Sequence, residues 1–252
     1  MIFIAHISDL HLDGGERSAA RAEKVLAAID AFRTPPDVVL ATGDLADHGE
    51  VAEYDQFAKL FEGRGPVLHC PGNHDERRAY RQVLLGEEPS AGPINRVHRI
   101  PGATFLLCDS SIPGRGAGFL DDETISWLDT ALGEVPGGEP AFVCFHHPPV
   151  TMHNPVVDVL RQTGEERLEA VLAGHSVAAL FCGHTHTAAA TTFAGIPLHI
   201  APGVVSTLLM PWEENGTREW ADGGPVDLDG PPSLAFHVYD EGRLITHYRV
   251  VS

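Results

Sequence analysis

The sequence predicts an α/β fold, with helices packed on β-sheet. Three observations predict it. Short apolar runs rich in β-branched and aromatic residues recur along the chain, and segments with helical spacing lie between them. The chain is also long enough, at 252 residues and 43% apolar composition, for one substantial core or two small ones.

In order, Ile2–Ile7 reads as the first strand. Residues 16–33 follow as a helix, because Ala22, Val25, Leu26, Ile29 and Phe32 recur at three- and four-residue intervals and form one stripe. The run 38–42 is the second strand, and Val51, Tyr54, Phe57, Ala58 and Phe61 mark the second helix. Strands are expected at 66–70 and 104–108, then a helix carrying Ile125, Leu128, Ala131 and Leu132. The acidic start of that helix, Asp121 to Glu123, suits the positive end of a helix dipole. Further strands follow at 141–145 and 178–182, with a short helix between them marked by Leu168, Val171 and Leu172. The last quarter holds strands at 196–201, 233–240 and 243–250, the final pair joined by an Asp240-Glu241-Gly242 turn into an antiparallel hairpin. Between Pro202 and Pro232 lies a Gly-, Pro- and acid-rich loop, 203–232, that still carries Leu208, Leu209, Met210, Trp212 and Trp220. Loops this long are usually functional or mobile. No linker or internal repeat divides the chain, so residues 1–252 are expected to form a single domain.

Charge narrows the function classes. With 35 acidic against 17 basic residues the formal charge is −18, which disfavours a nucleic-acid polymer as partner. No apolar stretch approaches the roughly 20 residues of a membrane span, so no membrane partner is expected. The N-terminus lacks the basic region of a signal peptide. Cys70, Cys108, Cys144 and Cys182 form no C-x-x-C pair and end apolar runs, which points to buried reduced thiols and a cytoplasmic location. Fifteen histidines nearly match the total of Lys and Arg.

Metal-ligand residue types fall in five clusters, each directly after an expected strand. They are Ser8-Asp9-Leu10-His11, Gly43-Asp44-Leu45-Ala46-Asp47, Gly72-Asn73-His74-Asp75, His146-His147-Pro148-Pro149 and Gly183-His184-Thr185-His186. In α/β sheets, ligands collect at the carboxyl ends of strands. Mixed carboxylate, amide and imidazole donors suit Mn, Fe, Co or Zn. Any one cluster is weak evidence, since an isolated D-x-H or H-x-H is commonly incidental. Five in order, all at strand ends, are not explained by coincidence. Gly43, Gly72 and Gly183 are expected where the strand must turn sharply and a side chain would crowd an ion.

The series D-x-H, G-D-x-x-D, G-N-H-D, H-H-P-P and G-H-T-H resembles the calcineurin-like metallophosphoesterase superfamily. Within it, the chain is most similar to the class III cyclic-nucleotide phosphodiesterases, which include bacterial cAMP phosphodiesterases and glycerophosphodiesterase relatives. The resemblance runs from Ile2 to about Pro202. It implies a four-layer α/β/β/α sandwich and a dinuclear site holding two divalent or trivalent ions, with Fe and Mn foremost and Zn or Co as alternatives. Carried over by position, Asp9, His11 and His186 would bind one ion. Asn73, His146 and His184 would bind the other, and Asp44 would bridge them. His146 is taken ahead of His147 because it holds the His-x-Pro position of the superfamily.

The implied reaction is hydrolysis of a phosphate ester by water activated between two metals. His74 matches the family histidine that assists the leaving oxygen; the alternative is a histidine that only orients Asp44 or a water. Asp47 and Asp75 are expected to be supporting acids. His48 stands where the Ser/Thr phosphatases of the superfamily carry an arginine, and Asp75 where they carry glutamate, so a phosphomonoester clamp is missing. A small phosphodiester is therefore the expected substrate, 3′,5′-cyclic nucleotides (cAMP) first, with a glycerophosphodiester or another small diester as the alternative. A non-catalytic scaffold is the reading from another class, and it predicts lost ligands. His6, His69, His199, His237 and His247 are expected to be structural, and Arg77 and Arg78 surface cations. The 203–232 loop is expected either to cap the site or to join two copies as a homodimer, with Trp212 and Trp220 as base-stacking or interface residues; the alternative is a surface loop that its tryptophans pin down.

Overall fold

The computed structural model describes residues 1–252. Its strands are β1 (Ile2–Ile7), β2 (Val38–Thr42), β3 (Val67–Cys70), β4 (Arg96–Ile100), β5 (Ala103–Leu107), β6 (Gly118–Phe119), β7 (Ala141–Cys144) and β8 (Gln162–Thr163). They continue as β9 (Ala179–Cys182), β10 (Ala189–Phe193), β11 (Ile196–Ile200), β12 (Thr207–Leu208), β13 (Val226–Asp227), β14 (Ser233–Asp240) and β15 (Arg243–Val250). The helices are α1 (Glu16–Asp30), α2 (Val51–Phe61), α3 (Arg77–Tyr80), α4 (Asp122–Gly133), α5 (Pro155–Asp158) and α6 (Glu165–Leu172).

Two sheets carry the architecture. One is ordered β15-β14-β1-β2-β3 and the other β10-β11-β9-β7-β5-β4. Each has a parallel run, β1-β2-β3 in one and β11-β9-β7-β5 in the other; antiparallel β14 and β15 flank the first on its β1 side, and antiparallel β10 and β4 flank the second on both sides. Alternation along each strand explains why the sheets stack. Ile2, Ile4, Val38, Leu40 and Leu68 of the first sheet meet Phe105, Leu107, Phe142 and Phe181 of the second in one core layer. The intervening Ala5, Ile7, Val39 and Ala41 turn outward onto Val25, Leu26 and Ile29 of α1 and Tyr54 and Phe57 of α2. On the far side, Leu106, Val143 and Leu180 pack under Leu128 and Leu132 of α4 and Leu168 of α6. The result is the expected four-layer α/β/β/α sandwich. Central strands buried on both faces read as continuous apolar runs, which is why they were visible in the sequence.

Six strands were not expected: the two-residue β6, β8, β12 and β13, and the longer β4 (Arg96–Ile100) and β10 (Ala189–Phe193), which matter more. Both are outer edges of the second sheet, and neither has a buried residue. With no buried face they carry no apolar signature. The four cysteines are buried and unpaired, as expected. No helix is long and apolar enough to cross a membrane.

Candidate metal centre

Parallel strands that point the same way deliver their following loops to one edge. β1 ends at Asp9 and His11, β2 at Asp44, β3 at Asn73 and His74, β7 at His146 and His147, and β9 at His184 and His186. Adjacent loops are stitched by Asp9 N–H to Gly43 O (3.1 Å) and by His11 N–H to Asp44 O (2.9 Å). These loops turn abruptly. Asp9, His11, Asp44, His184 and His186 all adopt left-handed backbone, with φ between +44° and +71°. For non-glycine residues that conformation costs about 1–3 kcal/mol each and persists where the surroundings impose it. The expectation about the glycines is sharpened here. Only Gly43 has positive φ; Gly72 and Gly183 are required for space, since a Cβ would lie 2.2 Å from Asp44 Oδ1 and 1.7 Å from Ser8 Oγ.

All seven expected ligands come together. His11 Nε2 lies 3.2 Å from His186 Nε2 and 3.5 Å from Asp44 Oδ2, and His186 Nε2 is 3.5 Å from Asp9 Oδ1. His146 Nε2 is 3.2 Å from Asp44 Oδ2. Donors bound at about 2.1 Å to one ion lie about 3.0–3.4 Å apart, so these spacings match a shared cation. Donor atoms within 4.8 Å of one another form four groups: Asp9, His11 and His186; Asp9, Asp44 and His146; His146, His147 and His184, the third; and His11, Asp44 and His74. Asn73 joins the third group through His147, whose Nε2 is 3.2 Å from Asn73 Oδ1.

Proton accounting separates the adjacent histidines. His146 Nδ1–H donates to the Thr42 carbonyl at 2.6 Å, because a carbonyl can only accept, so in the neutral imidazole that ligation needs the lone pair is on Nε2. That Nε2 and the Nε2 of His184 are buried without a hydrogen-bond partner. Unpartnered buried polar atoms are costly, and a bound cation would satisfy both. His147 differs. Ser110 Oγ accepts the N–H groups of His146 and His147, both at 3.2 Å, which uses its lone pairs. Its own proton therefore goes to His147 Nδ1 at 2.8 Å, leaving His147 Nε2–H to donate to Asn73 Oδ1. His147 thus holds the Asn73 amide in orientation.

Supporting residues fit the same scheme. Asp47 accepts from His11 Nδ1 at 2.8 Å, and its main-chain carbonyl accepts from His74 Nδ1 at 2.7 Å. The Asp75 carboxylate is buried and accepts the N–H groups of Gly72, Leu45 and Ala46, tying two ligand loops together. His74 stands at the opening, its side chain 40% exposed and its ring 4.5 Å from that of His11.

Electrostatically the site sets buried carboxylates against imidazoles. Burial pushes Asp9 up to about 6, with Asp44 adding to the rise. Burial acts the same way on Asp44, yet His146 and His11 hold it well below the usual carboxylate range. His146 is raised to about 9; burial opposes this, and Asp44 and Asp9 outweigh it. By contrast, burial and neighbouring histidines keep His184 and His186 low, in the neutral form that ligation needs. Arg17 is the one Lys or Arg on the wall of the 470 Å³ cavity above the site, and it is committed to main-chain carbonyls. The donors fit divalent cations by chemistry and by charge.

Several expectations change. Arg77 is not a surface cation: its side chain is 10% exposed and lies 2.8 Å from buried Asp109. His247, expected to be structural, faces solvent on β15. Ser110 and Ser206, the latter bonded to His186 Nδ1 at 2.7 Å, were missed. The Asp109-Ser110-Ser111 run after β5 obeys the same strand-end rule and was a usable signal; Ser206 had none. The 203–232 segment contributes Val205, Ser206, Trp220, Val226 and Leu228 to the cavity wall.

Comparisons agree with this geometry. Residues 3–188 match the family model described as calcineurin-like phosphoesterase. The chain is 33% identical over 227 residues to a cAMP/cGMP dual specificity phosphodiesterase of Mycobacterium tuberculosis, covering 85% of this chain and 71% of that protein. It is 30% identical over 251 residues to a glycerophosphodiester phosphodiesterase of Enterobacter lignolyticus, covering 94% and 86%. A crystal structure of a dimetal phosphatase from Danio rerio superposes with a TM-score of 0.71 at 16% identity over 100% of this chain and 96% of that one, a likeness of fold. With clustered Asp and His side chains at the strand ends of a four-layer sandwich and a family match across most of its length, the chain belongs to the calcineurin-like phosphoesterase family.

Proposed function

We propose that this protein is a two-metal phosphodiesterase acting on small diesters, with 3′,5′-cyclic nucleotides such as cAMP as the favoured substrates. One observation carries the reading. His11, Asp44, Asn73, His184 and His186 line one cavity with Asp9 and His146 buried beside them, five of the seven have strained backbone, and the buried Nε2 atoms of His146 and His184 make no hydrogen bond. A non-catalytic scaffold gives no reason to retain that strain. Asp9, His11 and His186 would hold one cation, Asn73, His146 and His184 the other, with Asp44 between them; Fe and Mn are the first candidates. When bound, the pair supplies Lewis-acid polarisation of the phosphoryl oxygens and an activated water.

The chain's own residues do the rest. Asp47, Thr42 and His147 fix the orientation of His11, His146 and Asn73. His74, anchored through Nδ1 to the Asp47 carbonyl, would give a proton from Nε2 to the departing ester oxygen. Asp9, Asp44 and Asp47 surround a site without a free Arg or Lys, which suits a monoanionic diester better than a dianionic monoester. We also place the protein in the cytoplasm, where four buried thiols stay reduced. The same reading includes a homodimer through Trp212, which is 75% exposed on the 203–232 segment; sedimentation tests it.

A second reading has its own support. A smaller cavity of 260 Å³ meets the first at Asn73 and His74, and gives room for the second arm of an acyclic diester such as a glycerophosphodiester. A turnover panel on metal-loaded protein decides between them. Higher kcat/KM for cAMP than for glycerophosphoethanolamine supports the first reading, the reverse order supports the second, and no diester turnover by protein holding two ions contradicts both.

A further inference from the structure

The cavity above the metal centre has two unlike sides. Its floor is the ligand cluster, while Leu160, Val205, Trp220, Val226 and Leu228 give it an apolar wall. The wall is firmly built. Arg17 donates to the carbonyls of Val205 (3.0 Å) and Leu228, and Arg21 to those of Val204 (2.8 Å) and Gly230 (2.7 Å). Buried Asn154 donates to Leu209 and Gly216 carbonyls at 3.0 and 2.9 Å, and β12 pairs with β13 within the 203–232 segment.

Trp220 is the aromatic residue of this wall and is 49% exposed. It opens a single 3₁₀ turn, Trp220–Asp222, that folds Gly224 back against the indole. A Cβ on Gly224 would come within 2.4 Å of ring atoms Cε3 and Cζ3, and Gly224 itself has φ +72°. One part of the ring is therefore backed by bare main chain, which holds it in place, while the ring still borders the cavity. A volume of 470 Å³ lies in the range of sites that enclose a nucleotide-sized ligand. An occupant matched to both sides has an anionic end for the floor and a flat, weakly polar end for the wall.

We propose that Trp220, supported by Gly224, is a stacking platform that selects phosphodiesters carrying a planar heteroaromatic ring. This rests on the phosphodiesterase reading above and extends it to substrate selection. A glycerol or ethanolamine arm offers no π face to the indole, whereas every nucleobase does.

The test uses Trp220→Ala and Trp220→Phe in metal-loaded protein, with Trp212→Phe as a control in the same segment. The ratio of kcat/KM for cAMP to that for glycerophosphoethanolamine should fall roughly tenfold in Trp220→Ala, the size of one lost base–aromatic stack. The loss should sit in KM, and Trp220→Phe should recover most of it. Independently of turnover, titration with 5′-AMP should quench tryptophan fluorescence in wild type and Trp212→Phe and leave Trp220→Phe unquenched. An unchanged substrate ratio, or equal quenching in Trp220→Phe, overturns the proposal. If wild type turns over no cyclic nucleotide, the substrate reading fails by itself, and the AMP titration still decides the platform: loss of quenching in Trp220→Phe supports it, and no quenching in wild type overturns it.

Discussion

The histidines at the strand ends and those between the sheets are the same side chain in opposite surroundings. At the strand ends, His11 and His146 face Asp44, Asp9 and Asp47, and both are raised although burial works against it. Between the sheets, His6 and His237 meet no carboxylate. His6 Nδ1 is 3.1 Å from His237 Nε2, His6 Nε2 bonds Thr42 Oγ1 at 2.9 Å, and His237 Nδ1 bonds Thr246 Oγ1 at 2.8 Å. Burial drives His6 down to about 3 and His237 well below its ordinary value. Both clusters are buried, but only one leaves imidazole nitrogens without a protein partner. A carboxylate neighbour and an orphaned nitrogen, rather than the number of histidines, separate a metal centre from a polar core.

Deleting the bridge should have the largest effect. Asp44→Ala is expected to empty both metal positions and abolish turnover, read by metal analysis and diesterase assay. His74→Ala should retain both ions and lose about 10²–10⁴-fold in kcat, the range for a missing proton donor. If it also empties the site, His74 belongs with the ligands. Next, His147→Ala should weaken metal binding by about 10–100-fold, since His147 only orients Asn73. His146→Ala should abolish the second ion. Equal effects at the two positions would break the tautomer assignment.

On the other side of the contrast, acid should act through the core cluster. A histidine held below its unfolded value of about 6.5 gives stability that is full above that pH and is lost as pH falls towards the folded value. For His6 this window runs from about 6.5 down to about 3. Each such histidine steepens the loss by about 1.4 kcal/mol per pH unit. His237→Gln, which can keep its hydrogen bonds, should flatten the acid limb of urea-measured stability by about that slope between pH 6 and 4. Its metal content should not change.

The two clusters were not equally readable. Strand-end donors stand out because their strands are apolar on both sides, so each run ends visibly at Asp9, Asp44, Asn73, His146 and His184. The polar edge strands 96–100 and 189–193 gave no such contrast. His6 and His237 were legible as strand residues, but their pairing joins β1 to β14 across 231 positions and leaves no local trace. The left-handed backbone at five ligands was equally silent, since Asp and His do not advertise it as glycine does. Arg17 and Arg21 lie on the amphipathic helix α1, and only the fold brings them to the carbonyls of residues 204–230.

The central claim is that the strand-end cluster binds two cations and uses both. Equilibrium dialysis of metal-free protein against Mn²⁺, with bound metal counted per chain alongside bis(p-nitrophenyl) phosphate hydrolysis, tests it directly. Two ions per chain, with activity rising as the second binds, is the predicted result. Saturation at one ion or none, or full activity in the metal-free protein, would contradict it.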